Sequence, residues 1–233
     1  MLLFYVRHGD PIYNPDSLTE LGHKQAQALV ERMKVCNPSQ IFVSSSNRAI
    51  LTAQPTAEAL GIEPVIVDWA NERLAFKDLS VPKAEGGRRW LAEKDEYEFL
   101  LSDEIHKLEH DWHTHPRMAE RGVVGTGRIA KDVDDWLETL GYRREGRCYR
   151  RIGQSPERVA LFAHWGFGLG FLSHLLDIPY PQMATRFCIG HSQVTTIRFW
   201  DHDFVVPQVL QLSNDSHVFA AGLETKYVNR FLF

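Results

Sequence analysis

Leu2-Leu3-Phe4-Tyr5-Val6-Arg7-His8-Gly9 is the stretch whose reading decides the fold. Five consecutive apolar residues suit a short strand covered on both faces. They hand over directly to a guanidinium and an imidazole. Open α/β sheets bind their ligands outside the carboxyl ends of the strands, so Arg7 and His8 become candidates for a site at that edge. A tripeptide alone recurs by chance, and its weight depends on whether other apolar runs end in matching chemistry.

Two others do. Ile41-Phe42-Val43 leads into Ser44-Ser45-Ser46 and then Arg48, and Val159-Ala160-Leu161-Phe162-Ala163 leads into His164-Trp165-Gly166. Pro64-Val65-Ile66-Val67 is a fourth candidate strand. Gln193–Trp200 and Val205–Leu212 suit a hairpin through Asp201-His202-Asp203.

Helical patterns lie between them. Ala26, Leu29, Val30 and Met33 recur at the spacing of one helix face after Thr19. Asn47 to Leu60 reads as a helix ended by Gly61, and Ile129, Val133, Trp136, Leu137 and Leu140 form an apolar stripe ended by Gly141. Strands alternating with helices predict a three-layer α/β/α sandwich on a mostly parallel sheet, as one domain over residues 1–233.

The segment from about 77 to 127 breaks the alternation. It carries no convincing strand, and Leu101, Ile105, Leu108 and Trp112 fall on one face of a helix. It reads as a helical cap inserted over the sheet's functional edge, with an ordinary two-helix crossover as the alternative.

Of 233 residues, 44% are hydrophobic and 24% charged, enough apolar content for a sizeable core. A net charge of -4 argues against a nucleic-acid partner. Cys36, Cys148 and Cys188 are scattered and form no CxxC pair, which predicts reduced thiols in a cytoplasmic protein. The apolar start is too short for a secretion signal, and no stretch approaches a membrane span.

Two arginines and two histidines beside helix starts suit a phosphoryl group. Helix N-termini favour anions, and the guanidinium fork matches adjacent phosphate oxygens. A neutral imidazole there can attack phosphorus, and nearby arginines disfavour its cation. Glu72 is the carboxylate best placed to protonate a leaving oxygen, with Glu85 and Glu104 as the other choices. Asn14 follows closely on the Arg-His pair.

These motifs resemble the histidine phosphatase superfamily, in its phosphoglycerate-mutase-like branch. The likeness rests on Arg7-His8-Gly9 with Asn14, Leu18-Thr19-Glu20-Leu21-Gly22 with Gln25-Ala26, Ser44-Ser45 with Arg48-Ala49 and Thr52-Ala53, and Phe162-Ala163-His164-Trp165-Gly166. The resemblance implies a phosphatase acting on a small phosphate monoester, with no metal and no cofactor. It implies His8 as the nucleophile, and Arg7, Arg48 and His164 on the phosphoryl oxygens. Asn14 would add a donor on the phosphate side, and Glu72 would act as general acid and then activate water. Two departures favour a phosphatase over the mutase, its nearest rival. Asp10-Pro11 stands where many relatives carry a serine two residues after the glycine. Asn71-Glu72-Arg73-Leu74-Ala75-Phe76 stands where mutases carry Glu-Arg-His-Tyr-Gly. A non-catalytic phosphate-binding protein is the rival from another class.

Three features lie outside this pattern. His106, His110 and His113 fall on one helix face, with His115 beside them, which suits solvent more than metal. Arg143, Arg144, Arg147, Arg150, Arg151 and Arg158 suit a hairpin with a solvated face, or a docking surface for a polyanionic substrate. Trp90, Tyr97, Phe99 and Trp112 suit either the cap's own core or a wall for an organic leaving group. Oligomeric state is open, and Phe231-Leu232-Phe233 offers an apolar end for internal or partner packing.

Overall fold

The structure is a computed structural model that describes residues 1–225, so Phe231-Leu232-Phe233 lies outside the described residues. Six strands, β1 (Leu2–Arg7), β2 (Gln40–Ser44), β3 (Val65–Val67), β4 (Arg158–Ala163), β5 (Val194–Arg198) and β6 (Gln208–Asn214), form one sheet. Their order is β6-β5-β1-β4-β2-β3. The pairs β1–β4, β4–β2 and β2–β3 are parallel, whereas β5 runs antiparallel to β1 and β6 antiparallel to β5.

The strands alternate between two apolar layers, which is why their apolar runs are continuous. Phe4, Val6, Ile41, Val43 and Phe162 face α1 (Glu20–Cys36) and α2 (Asn47–Leu60). Leu3, Tyr5, Phe42 and Leu161 face α3 (Glu72–Asp78), α4 (Gly127–Thr139), α5 (Trp165–Leu176) and α6 (Tyr180–Arg186). A seventh helix, α7 (Ser216–Ala220), packs near α1. The predicted three-layer arrangement holds. Thr19 caps α1 by accepting from the Gly22 amide. Gly61 ends α2 in the left-handed conformation at φ 65°, which costs glycine little.

Three expectations fail in detail. The segment 77–127 contains a small antiparallel hairpin, Ser80–Pro82 with Arg88–Trp90, whose turn Gly86-Gly87 has positive φ at both residues. Three-residue strands are too short to show a period.

The single helix through Leu101 and Trp112 is also absent. Short turns Tyr97–Leu100, Asp103–His106 and Glu109–Thr114 replace it, and Glu109 at φ 47° breaks the helix path. Ile105 and Trp112 are buried while Leu101 is exposed. The shared histidine face is therefore lost as well.

The hairpin after Gln193 is real, but its second sheet strand starts at Gln208. Phe204–Val205 instead joins a separate small sheet with Cys148–Arg151 and Tyr142–Glu145. Pro207, which has no N–H to donate, lies between the two pairings. A further hairpin, Pro11–Tyr13 with Asp16–Leu18, leaves no signal in the sequence because it is three residues a side.

The Arg7-His8-Gly9 turn rests directly on the first turn of α1. A Cβ on Gly22 would overlap the Asp10 carbonyl oxygen, and one on Gly9 would overlap the Gly22 carbonyl. Gly22→Ala is expected to lower stability by roughly 1–3 kcal/mol, the usual cost of overpacking. Urea unfolding checks this as a fall in midpoint at unchanged slope.

Candidate active site

The carboxyl ends of β1, β2 and β4 meet at a cleft of about 310 Å³ lined by Arg7, His8, Tyr13, Arg48, Glu72 and Trp165, with Phe76, Lys83, Arg88, Arg89, Trp90 and Glu93 opposite. A larger hollow of about 970 Å³ lies between α1, β6 and α7. Its walls, among them Phe4, Val35 and Leu210, are mostly apolar, and it holds none of the predicted site residues.

His8 forms the floor. Its Nδ1 lies 2.7 Å from the Gly9 carbonyl oxygen, which can only accept, so Nδ1 carries the proton. Nε2 is thereby left with its lone pair, toward which Arg48 Nε donates at 3.2 Å. Burial first, then His164, Arg7, Arg48 and His191, hold the His8 pKa well below the usual histidine value. The Gly9 amide donates to Thr52 Oγ1 at 2.9 Å, and that hydroxyl donates to the Arg48 carbonyl, which ties the turn to α2.

Arg7 is buried and donates from Nη1 to the Ile189 carbonyl at 2.6 Å, while its Nε has no hydrogen-bond partner. Arg48 enters from the first turn of α2 and pairs with Asp16 at 2.7 Å. His164 lies fully buried behind His8, ring centroids 5.2 Å apart, with Nε2 2.7 Å from Ser44 Oγ. Tyr5 OH accepts from the His164 amide and donates to its carbonyl, fixing that turn. Burial first, then Arg48 and Arg7, push the His164 pKa well down. Its Nδ1 is buried without a partner.

Glu72 spans from α3 to the start of α5, accepting from the Gly166 amide at 2.9 Å and the Phe167 amide at 2.8 Å. A carboxylate there satisfies two orphan N–H groups of the helix. Burial nevertheless raises its pKa, against the pull of those amides and of Arg48 and Arg7.

The structure thus brings Arg7, His8, Arg48, Glu72 and His164 together, although His164 does not itself line the cleft. It does not bring in Asn14, which is exposed at the tip of the hairpin while its neighbour Tyr13 lines the cleft. Glu85 is exposed in a turn and Glu104 contacts His115 at 3.2 Å, so Glu72 is the one of the three at the cleft. Of the four aromatics, Trp90 alone lines it, set edge-on to Trp165 and over Gly166. Trp112 is core, stacked on Tyr180, and Phe99 packs on Arg117.

The sequence of this chain matches the family described as histidine phosphatase superfamily (branch 1) over residues 3–211. The chain belongs to that superfamily. Comparison with curated proteins gives no match. Among solved structures, the chain is similar to the phosphoserine phosphatase of Entamoeba histolytica, at 18% identity and TM-score 0.60 over 93% of this chain and 98% of that one. It is also similar to a mycobacterial glucosyl-3-phosphoglycerate phosphatase solved with VO3, at 19% identity and TM-score 0.58 over 90% and 97%. Identities this low establish likeness of fold.

One residue at this edge escaped the sequence reading. His191 lies 5.5 Å from the His8 ring, brought there because antiparallel β5 begins where β1 ends. It precedes its strand in the chain rather than following it, and only the antiparallel run of β5 brings it to the carboxyl end of β1.

The other polar features go elsewhere. His106 faces Gln182, His110 faces Asp177 and His115 faces Glu104. Among the described residues no group of His, Cys, Asp and Glu is arranged to hold a metal ion. Cys36, Cys148 and Cys188 are unpaired, and no helix among the described residues is long and apolar enough to cross a membrane. The basic run forms the predicted hairpin, but Arg143 pairs with Glu138, Arg147 with Asp177, Arg150 with Glu145 and Arg151 with Asp201.

Two outcomes follow from these environments. Neutralising Arg150 and Arg151 together should leave KM within about two-fold even for highly charged substrates, because exposed pairs contribute little. Second, unfolded histidines take up protons as pH falls through about 6.5, whereas buried His8 and His164 stay neutral in the folded chain. Acid therefore favours the unfolded state from about pH 6.5 downward, by up to about 1.4 kcal/mol per pH unit for each histidine. The urea midpoint should fall less between pH 7.5 and pH 5.5 for His164→Gln than for wild type, because the variant lacks one of the two histidines that acid protonates only on unfolding.

Proposed function

We propose that this protein hydrolyses a small phosphate monoester through a phosphohistidine on His8. The observation that carries the proposal is the state of His8: Nδ1 anchored on Gly9, Nε2 unprotonated, and Arg7 and Arg48 lining the same cleft.

In the first step the Nε2 lone pair attacks phosphorus and the ester P–O bond breaks. The leaving oxygen takes the proton of the Glu72 carboxyl, whose pKa burial raises and whose protonation an incoming phosphate anion favours. Substrate oxygens draw the Arg48 guanidinium onto themselves, releasing Nε2 for attack. In the second step water attacks phosphorus, the Glu72 carboxylate accepts the water proton, and the P–N bond breaks to release orthophosphate and restore the Nε2 lone pair of His8. Arg7 and Arg48 stabilise charge on the equatorial oxygens throughout, and His164 supports that array from behind His8.

We assign the segment 77–127 the role of a cap that selects the organic part of the substrate. Trp90 and Phe76, ring centroids 5.0 Å apart, give that part an apolar wall, and half-buried Lys83 adds a cation at the cleft. The similar folds of phosphatases for phosphoserine and glucosyl-3-phosphoglycerate support a small phosphorylated metabolite as the substrate class.

The test is orthophosphate release from 4-nitrophenyl phosphate. His8→Ala should lose roughly 10³-fold or more of kcat, as removal of a nucleophile does. Rapid acid-free quenching of wild type should trap a base-stable phosphoenzyme that His8→Ala does not form. Activity surviving in His8→Ala would overturn the mechanism. Glu72→Gln should suffer more with an alkyl phosphate than with 4-nitrophenyl phosphate, because the poorer leaving group depends more on protonation. Wild-type activity should decline on the alkaline side as Glu72 ionises and persist below pH 6.5, where neutral His8 keeps its lone pair, and a pH–rate profile checks both limbs.

A further inference from the structure

The reaction above gives no part to His191, yet it is the third histidine around the cleft floor and is itself buried. Its contacts are specific. Arg7 Nη2 lies 2.7 Å from His191 Nε2. A guanidinium only donates, so Nε2 accepts and the imidazole proton resides on Nδ1. Nδ1 lies 3.6 Å from Asp10 Oδ1, beyond hydrogen-bond length but within reach of charge–dipole attraction. The other oxygen of that carboxylate, Oδ2, accepts from the Thr19 hydroxyl at 2.8 Å. Thr19 in turn caps α1, so the chain of contacts is anchored in a helix end.

We propose that His191 is a positioning residue for Arg7, held in its accepting tautomer by Asp10, so that the guanidinium presents its remaining donors to the substrate phosphoryl group. The inference rests on the reading of the cleft as a phosphoryl site. Arg7 has its Nη1 fixed on Ile189 and its Nη2 fixed on His191, which sets the plane of the fork. Its Nε stays buried without a partner, a donor unmatched until an anion arrives. Asp10-Pro11, which departs from the serine-bearing pattern of many relatives, thereby acquires a purpose. Its carboxylate faces Thr19 and His191, and the residue does not line the cleft.

His191→Ala, His191→Gln and Asp10→Asn in the full-length protein test this. The readouts are orthophosphate Kd by calorimetry, kcat and KM with 4-nitrophenyl phosphate, and the urea midpoint. His191→Ala should raise the orthophosphate Kd about ten-fold and lower kcat/KM about 10–100-fold, the scale of a misplaced catalytic group. His191→Gln, whose amide oxygen can accept from Arg7, should recover most of both. A purely structural histidine would lower the urea midpoint and leave the orthophosphate Kd of the folded fraction unmoved.

A folded His191→Ala within two-fold of wild type in Kd and kcat/KM overturns the proposal. So does a glutamine variant as impaired as alanine. If His191→Ala does not fold, Asp10→Asn decides, and unchanged Kd and kcat/KM there overturn it equally. Orthophosphate binding needs no turnover, so the two readings separate. Wild type that binds orthophosphate but hydrolyses nothing defeats the hydrolase and leaves the positioning role to be read from Kd. Wild type that binds none defeats both.

Discussion

Arg7 is a guanidinium taken out of water, and the edge of the sheet is arranged around that fact. Stripping such an ion of solvent costs on the order of several kcal/mol. Hydrogen bonds to a charged group return about 1.5–3 kcal/mol each. The chain supplies two acceptors, the Ile189 carbonyl and His191 Nε2, both from the loop leading into β5. That loop folds back onto β1 because β5 pairs antiparallel with it, with the Arg7 amide donating to the Gln193 carbonyl at 3.1 Å. Strand pairing and ion solvation are here one arrangement, and a residual donor is left for a ligand.

The same cation divides the labour between the site's titratable groups. Burial beside Arg7 and Arg48 keeps His8 and His164 neutral, while burial raises the carboxyl of Glu72 in spite of two amide donors and both arginines. A base pushed down and an acid pushed up within one cleft are the pattern of a nucleophile and its proton donor. Glu72 also finishes the N-terminus of α5, the helix that His164 introduces, so Glu72 and His164 are positioned by one helix start.

Over these strand ends lies a segment built differently. Residues 77–127 contribute a two-stranded hairpin and single helical turns, whose packing runs through Trp90 on Gly166 and through Glu96, which receives both Arg89 and Arg121. A Cβ at Gly166 would collide with the Trp90 ring, so the approach of this segment to α5 depends on that glycine. The floor of the cleft comes from the sheet and the far wall from this segment.

The sequence by itself determined the layered sheet, because apolar runs and helix stripes are local patterns: α2 has the bounds its residues predict, and Ala26, Leu29, Val30 and Met33 are all buried. It also determined Arg7, His8, Arg48, Glu72 and His164 as a set, since each follows a strand within a few residues. Tertiary structure decided the rest. Asn14 lies exposed at the tip of a hairpin with three residues a side, outside the cleft lining, and such short elements carry no period to read. His191 belongs to the site through the antiparallel run of β5, a pairing between strands more than 180 residues apart. The course of 77–127 was equally hidden, because one residue at positive φ, Glu109, breaks a helix that spacing alone predicts. Local periodicity reports which face of an element is buried; only the packed chain reports which elements meet.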